Sequence, residues 1–163
     1  MVLWRRKRKS DDTTGTDGLA EPLPDFPYHP DPEATGSIER SSTRCIACGE
    51  ARGYVYVGPV FSVNHELLDD TVCPWCIADG SAAERFDAQY TGVGEELPAD
   101  VPDSVIIAVT QQTPGFSGWQ PEHWLYHCGD GAAFVGTTEA AGETAYRFRC
   151  RHCGVGLAYS DSP

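Results

Sequence analysis

Seven cysteines carry the chemistry of this chain, and six of them come in pairs two residues apart. The pairs are Cys45-Ile46-Ala47-Cys48, Cys73-Pro74-Trp75-Cys76 and Cys150-Arg151-His152-Cys153. A two-residue gap lets one tight turn aim two sulfurs at a single ion. Two such pairs make a closed tetrahedral thiolate site of the kind zinc occupies. Gly49 and Gly154 follow two of the pairs, and glycine permits the left-handed backbone such a turn needs. We assign Cys45, Cys48, Cys73 and Cys76 to one zinc. Cys128 is single and follows His127. With Cys150 and Cys153 it gives a second expected site of three sulfurs, with His127 or His152 as the fourth ligand. Zinc–sulfur bonds of about 2.3 Å require co-ligating sulfurs within about 4 Å of one another.

Elements must bring these groups together. Around the first site the order is knuckle, then Gly53 to Val63, then a Cys-x-x-Cys that opens a helix. The middle stretch is aromatic and β-branched with Gly58-Pro59 inside it, and reads as a hairpin or two short strands. This is a treble-clef-like layout. The helix is expected from Cys76 to about Tyr90, with Ala78, Ala82, Ala83 and Phe86 near helical spacing. Its start would favour thiolates at Cys73 and Cys76. A second helix is expected from Pro102 to Gln112, stopped by Thr113-Pro114-Gly115. A third is expected from Gln120-Pro121, carrying His123, Trp124, His127 and Cys128. Adjacent helical residues point about 100° apart. His127 and Cys128 could therefore share an ion only if that helix ends there, as Gly129-Asp130-Gly131 suggests. Tyr146 to Arg149 alternates like a strand entering the last pair, and Gly156 to Tyr159 alternates out of it. The fold class is therefore α+β, a small zinc-stabilised domain with a C-terminal zinc-knuckle-like lobe.

The chain has 163 residues and a net charge of −12. Arg5 to Lys9 hold five of the 12 basic residues, so from Ser10 onward seven basic residues stand against 24 acidic ones, a net charge of −17. A body this acidic repels phosphate backbones and disfavours nucleic acid as a partner. Residues 1–22 are expected to be a disordered tail. The plain reading of its basic cluster is a solvated tail, and the sharper one is a weak tether to an anionic surface. The domain is expected over 23–163, or as two zinc lobes meeting near 92–102. Leu23 to Pro32 is too rich in proline for helix or central strand, and Phe26 and Tyr28 need cover, so the segment reads as an extended arm lying across the domain. No apolar run approaches the roughly 20 residues of a membrane helix. Met1 to Trp4 is too short for a signal-peptide core. The expected compartment is the cytoplasm, where thiols stay reduced and paired cysteines mean metal or redox chemistry.

Longer motifs carry a family resemblance. Leu23-Pro24-Asp25-Phe26-Pro27-Tyr28-His29-Pro30-Asp31-Pro32, Ala51-Arg52-Gly53-Tyr54-Val55-Tyr56, Cys73 to Ala83, Thr113-Pro114-Gly115-Phe116 and Gly118-Trp119-Gln120 are similar to the CbrC family of bacterial proteins. The resemblance spans roughly residues 23–157. It implies little about activity: the family is largely uncharacterised, its name is tied to colicin tolerance, and no catalytic residue carries over. It also implies a further cysteine near Ala132 and a longer helical insert before the last pair, neither present here. Hence the second site stays open between His127 as fourth ligand, His152 as fourth ligand, and no bound metal.

Three functions compete. The first is a zinc-stabilised module that contacts another protein, its acidic surface selecting a basic partner. The second is an enzyme or sensor using an incomplete second metal site with an open position, Asp130, Glu122 and His123 being nearby in sequence. The third is a thiol–disulfide oxidoreductase at Cys73 and Cys76, which would need a preceding βαβ pattern that the sequence lacks. No phosphate-binding glycine loop or nucleophile elbow is present. Trp75, Trp119 and Trp124 read either as an aromatic ligand surface or, more plainly, as packing beside the zinc turns.

Overall fold

A computed structural model describes residues 21–94, 97–118, 123–140 and 142–161. The expected basic tail thus lies outside the described residues except for Glu21 and Pro22. Two apolar cores organise the rest, each beside one cysteine knuckle.

The first core forms around strands β1 (Ile38–Arg40) and β2 (Tyr54–Tyr56), which pair antiparallel with Ile38 opposite Tyr56. The first knuckle is the connection between them. Short helices follow: α1 (His65–Leu68), α2 (Pro74–Ala78) and α3 (Ser81–Phe86). Ile38, Tyr56, Leu68, Val72, Ile77 and Tyr90 are the main apolar groups buried here. The expected hairpin within 53–63 does not form. The partner of β2 precedes the knuckle, and Phe61 instead bridges Gln89. Locally, the Tyr56 hydroxyl donates to the Pro59 carbonyl at 2.7 Å, turning the chain aside where proline has no N–H to give a ladder. The expected helix 76–90 is two helices, broken at Gly80, whose φ is +77°.

The second core lies under a three-stranded antiparallel sheet in the order β5 (Ala133–Ala140), β6 (Glu143–Arg149), β7 (Gly156–Asp161). Helix α4 (Asp103–Gln111) covers it and starts and stops where the sequence predicts. Phe116 and Phe134 stack at 4.0 Å, and Trp124, Tyr146 and Phe148 close around them. Trp124 is buried and donates its indole N–H to the Ala132 carbonyl at 2.8 Å. Trp75 is half-buried against the first core with Arg52 over its ring. These two tryptophans are packing residues, and Trp119 lies outside the described residues.

The proline-rich arm crosses both cores, as its aromatic residues predict. Phe26 belongs to the first core and Tyr28 to the second. Further ties cross between them: the Gly115 N–H donates to the Tyr56 hydroxyl at 3.2 Å, and the Tyr90 N–H to the Thr110 carbonyl at 2.8 Å. Among the described residues no helix is long and apolar enough to cross a membrane.

His29, in the same arm, is fully buried. Its Nδ1 lies 2.7 Å from the Pro114 carbonyl, which can only accept, so Nδ1 holds the proton and Nε2 accepts from Thr35 Oγ1 at 2.6 Å. Burial pushes its pKa down to about 4. The unfolded chain takes up this proton near pH 6.5 and the folded chain only near 4. The neutral-histidine contribution is therefore complete above pH 6.5 and is lost as pH falls toward 4, about 3 kcal/mol in all. An NMR titration should find the His29 ring neutral at pH 5.5. Half-protonation near 6.5 would contradict this packing.

Candidate metal centres

The first knuckle is closed by its own backbone. The Cys45 N–H donates to the Glu50 carbonyl at 2.8 Å and the Gly49 N–H to the Cys45 carbonyl at 2.7 Å, with Gly49 at φ +78°. The second repeats it: Cys150 N–H to Val155 carbonyl at 2.8 Å, Gly154 N–H to Cys150 carbonyl at 3.1 Å, and Gly154 at φ +75°. Each knuckle is the tip of an antiparallel pair, β1–β2 for the first and β6–β7 for the second. Two sulfurs on one hairpin tip cannot close a tetrahedron, so each knuckle needs a second pair of donors.

For the first knuckle these come from the start of α2. Cys73 precedes the helix, with Pro74 in its first turn where no N–H is wanted, and Cys76 lies inside it. The ligand atoms of Cys45, Cys48, Cys73 and Cys76 all lie within 4.8 Å of one another, and the Cys48 and Cys73 sulfurs are 3.9 Å apart. That spacing fits sulfurs on one zinc. The Cys73 N–H points at the Cys45 sulfur at 3.2 Å. Cys45, Cys73 and Cys76 are buried and Cys48 is exposed.

For the second knuckle the donors come from a hairpin. Strands β3 (Tyr126–His127) and β4 (Asp130–Gly131) pair with His127 opposite Asp130, leaving Cys128 and Gly129 as a two-residue turn. Their φ values, +55° and +69°, are those of a type I′ turn. The helix expected from Gln120 is therefore not what carries these residues. Gln120, Pro121 and Glu122 lie outside the described residues, and from His123 the chain is extended. The Trp124 N–H bonds to the Gly92 carbonyl and the Ala132 N–H to Leu125. This long-range pairing and the turn at 128–129 overrule the helical spacing. His123 accordingly does not share a helix face with His127; it stacks on Tyr159 at 3.9 Å.

The turn does what a helix could not. His127 and Cys128 both reach the knuckle, and the ligand atoms of His127, Cys128, Cys150 and Cys153 lie within 4.8 Å of one another. His127 Nδ1 is 3.1 Å from the Cys128 sulfur and 3.5 Å from that of Cys153. His152, the alternative fourth ligand, turns away to Asp130. Ala132 is buried in the second core.

Asp130, which the sequence places near the second site, ties the site together and does not face it as an open position. Its carboxylate accepts from Tyr28 at 2.8 Å, from Arg151 at 2.7 Å and from the Gly131 N–H at 2.8 Å, with His152 Nε2 at 2.9 Å. It thereby ties the β3–β4 hairpin to the second knuckle and to the arm. Burial raises its pKa, but the bonds from Tyr28 and His152 and the charge of Arg151 outweigh this and hold it low. The only sequence signal was an acid directly after Cys128-Gly129. Removing its charge should loosen the second site and spare the first. We expect Asp130→Asn to weaken metal at the second site about 10–100-fold, the usual cost of losing a residue that orients ligands. A competitive chelator titration reads this directly, and unchanged affinity at both sites would exclude the role.

The donor sets suit a thiophilic dication. Without one, the thiols of the first cluster cannot all ionise. The bond between Cys73 and Cys45 pushes the Cys45 thiol down and the Cys73 thiol up, and burial pushes Cys76 up to about 11. A bound dication supplies the charge that lets all four ionise. Burial of both Cys73 and Cys76 also argues against a redox pair there, whose attacking thiol should be accessible.

A family model described as "Uncharacterised protein family (UPF0167)" matches residues 23–142. The chain is similar to UPF0167 proteins of Mycobacterium bovis and Mycobacterium tuberculosis. Each is 44% identical over 176 residues, covering 85% of this chain and 93% of the relative. A UPF0167 protein of Pseudomonas aeruginosa is 51% identical over 115 residues, covering 71% of this chain and 64% of that protein. No solved structure matches the chain. The matched family region ends before Cys150.

Proposed function

The chain belongs to the UPF0167 family, and we propose that it is a zinc-stabilised, non-catalytic module that binds another protein. The observation that carries this reading is the pair of four-donor clusters. Cys45, Cys48, Cys73 and Cys76 form one set, and His127, Cys128, Cys150 and Cys153 the other. Four protein donors fill a tetrahedral zinc and leave no position for substrate or water, which is the pattern of structural zinc. The reading extends the CbrC resemblance, which also supplies no catalytic residue. Its natural compartment is the cytoplasm, where thiolates remain reduced. The first site keeps the knuckle-to-helix order of a treble clef. The arm and the bonds between cores favour one folding unit over 23–163 rather than two lobes.

Exposure separates the sites. Three donors of the first cluster are buried, but only Cys150 of the second. A chelator titration followed with a zinc-responsive dye should release metal in two phases, and Cys128→Ser should remove the faster one. A single phase of one zinc, unchanged by Cys128→Ser, would reduce the account to one site.

A further inference from the structure

The module reading leaves open where a partner would bind, and one groove offers a specific answer that rests on that reading. A cavity of about 490 Å³ runs along the outer side of β5, between the strand and the turn at 30–36. Phe116 and Phe134 line it, with Asp31, Val135 and Thr137 at its walls.

β5 is an edge strand. Its outer edge already accepts an extended segment, because the Phe134 N–H donates to the Tyr28 carbonyl of the arm at 2.8 Å. Beyond Phe134, no backbone bond reaches this edge among the described residues. The β5–β6 hairpin closes at Ala140 and Glu143 around two residues. In such a hairpin the closing pair bonds across the ladder, so Ala140, Thr138 and Gly136 face β6 while Thr137 and Glu139 turn their N–H and C=O groups outward. The bulge between Phe134 and Gly136 makes Val135 the extra residue, and Val135 is 45% exposed on the groove wall. Asp31 is exposed and makes no ion pair among the described residues.

We propose that this groove receives an extended basic segment of a partner protein, which adds to β5 as a further strand and sets a lysine or arginine beside Asp31. Main-chain bonds to Thr137 and Glu139 give the attachment, and side-chain pockets give the selectivity, as in other strand additions. The aliphatic stem of a long cation covers the apolar floor while its charge stays at the rim. The net charge of −17 from Ser10 onward favours this partner over an acidic one.

The test uses full-length, zinc-loaded, ¹⁵N-labelled protein and three blocked pentapeptides, Thr-Val-X-Val-Thr with X as lysine, arginine or glutamate. The lysine and arginine peptides should shift the Thr137 and Glu139 amides saturably and bind at least about tenfold tighter than the glutamate peptide. Thr137→Pro removes an outward N–H without touching the ladder, and should abolish binding with zinc content unchanged. Asp31→Asn should erase the preference for a cation. Silent Thr137 and Glu139 amides at millimolar peptide, or equal binding of the glutamate peptide, would overturn the proposal. If those amides are silent while zinc is bound at both clusters, the groove assignment fails and the zinc-module reading stands.

Discussion

Cys45→Ser or Cys76→Ser should leave a chain that does not fold. Cys45 sits on the knuckle and Cys76 inside α2, so losing either breaks the link between the β1–β2 pair and the helices behind it. Structural zinc contributes about 10–16 kcal/mol in small zinc peptides near neutral pH. A whole domain is typically stable by only about 5–15 kcal/mol. Loss of this one site therefore exceeds the margin. The first core offers little substitute, for its helices have four, five and six residues and its strands three each. Helices this short do not hold together on their own. The measurement is soluble yield and far-ultraviolet circular dichroism of each variant. A soluble Cys76→Ser protein with native spectrum and melting would show that packing suffices without this donor.

The second large effect needs no metal. Gly115 lies where the two cores meet, and a Cβ there would overlap the Tyr90 carbonyl oxygen and come within 2.9 Å of the Tyr56 hydroxyl. Neither neighbour is free to yield. The Tyr90 N–H is held by Thr110 and the Tyr56 ring is fully buried. Gly115→Ala must push the 113–116 segment outward, breaking the Gly115–Tyr56 bond and lifting Phe116 from its stack on Phe134. We expect destabilisation of about 3 kcal/mol, at the upper end of ordinary overpacking because the obstacle is backbone. For a chain of this size that lowers the melting temperature by about 10 °C. A variant melting within about 2 °C of the parent would show that this close approach is not rigid.

What could be read from the sequence was what local geometry decides. The knuckles were legible because Cys-x-x-Cys followed by glycine fixes its own turn. The breaks of α4 and the burial of Phe26 and Tyr28 followed from proline placement and from large apolar groups in a polar setting. Two readings failed where the deciding partner is remote. Tyr54–Tyr56 finds its mate in Ile38–Arg40, across the knuckle, and nothing within 53–63 says so. His123 and His127 stand at helical spacing, yet the chain there is extended, because it pairs with Gly92 some thirty residues away and folds back at Cys128 and Gly129. β5 went unseen because Gly136 splits its strand formers into the short runs Phe134-Val135 and Thr137-Thr138, and pairing with β6 is what joins them. Asp130 is the instructive case, since its nearness to the second site was legible and its role was not. A single acid in a glycine-flanked turn looks like surface, and only the fold brings Tyr28, Arg151 and His152 to it.

Elemental analysis of protein purified without affinity metals tests the central claim most directly. The account predicts two zincs per chain, the second removed by mild chelator and the first only together with the fold. A chain that carries no zinc, and melts identically with and without chelator, would contradict it.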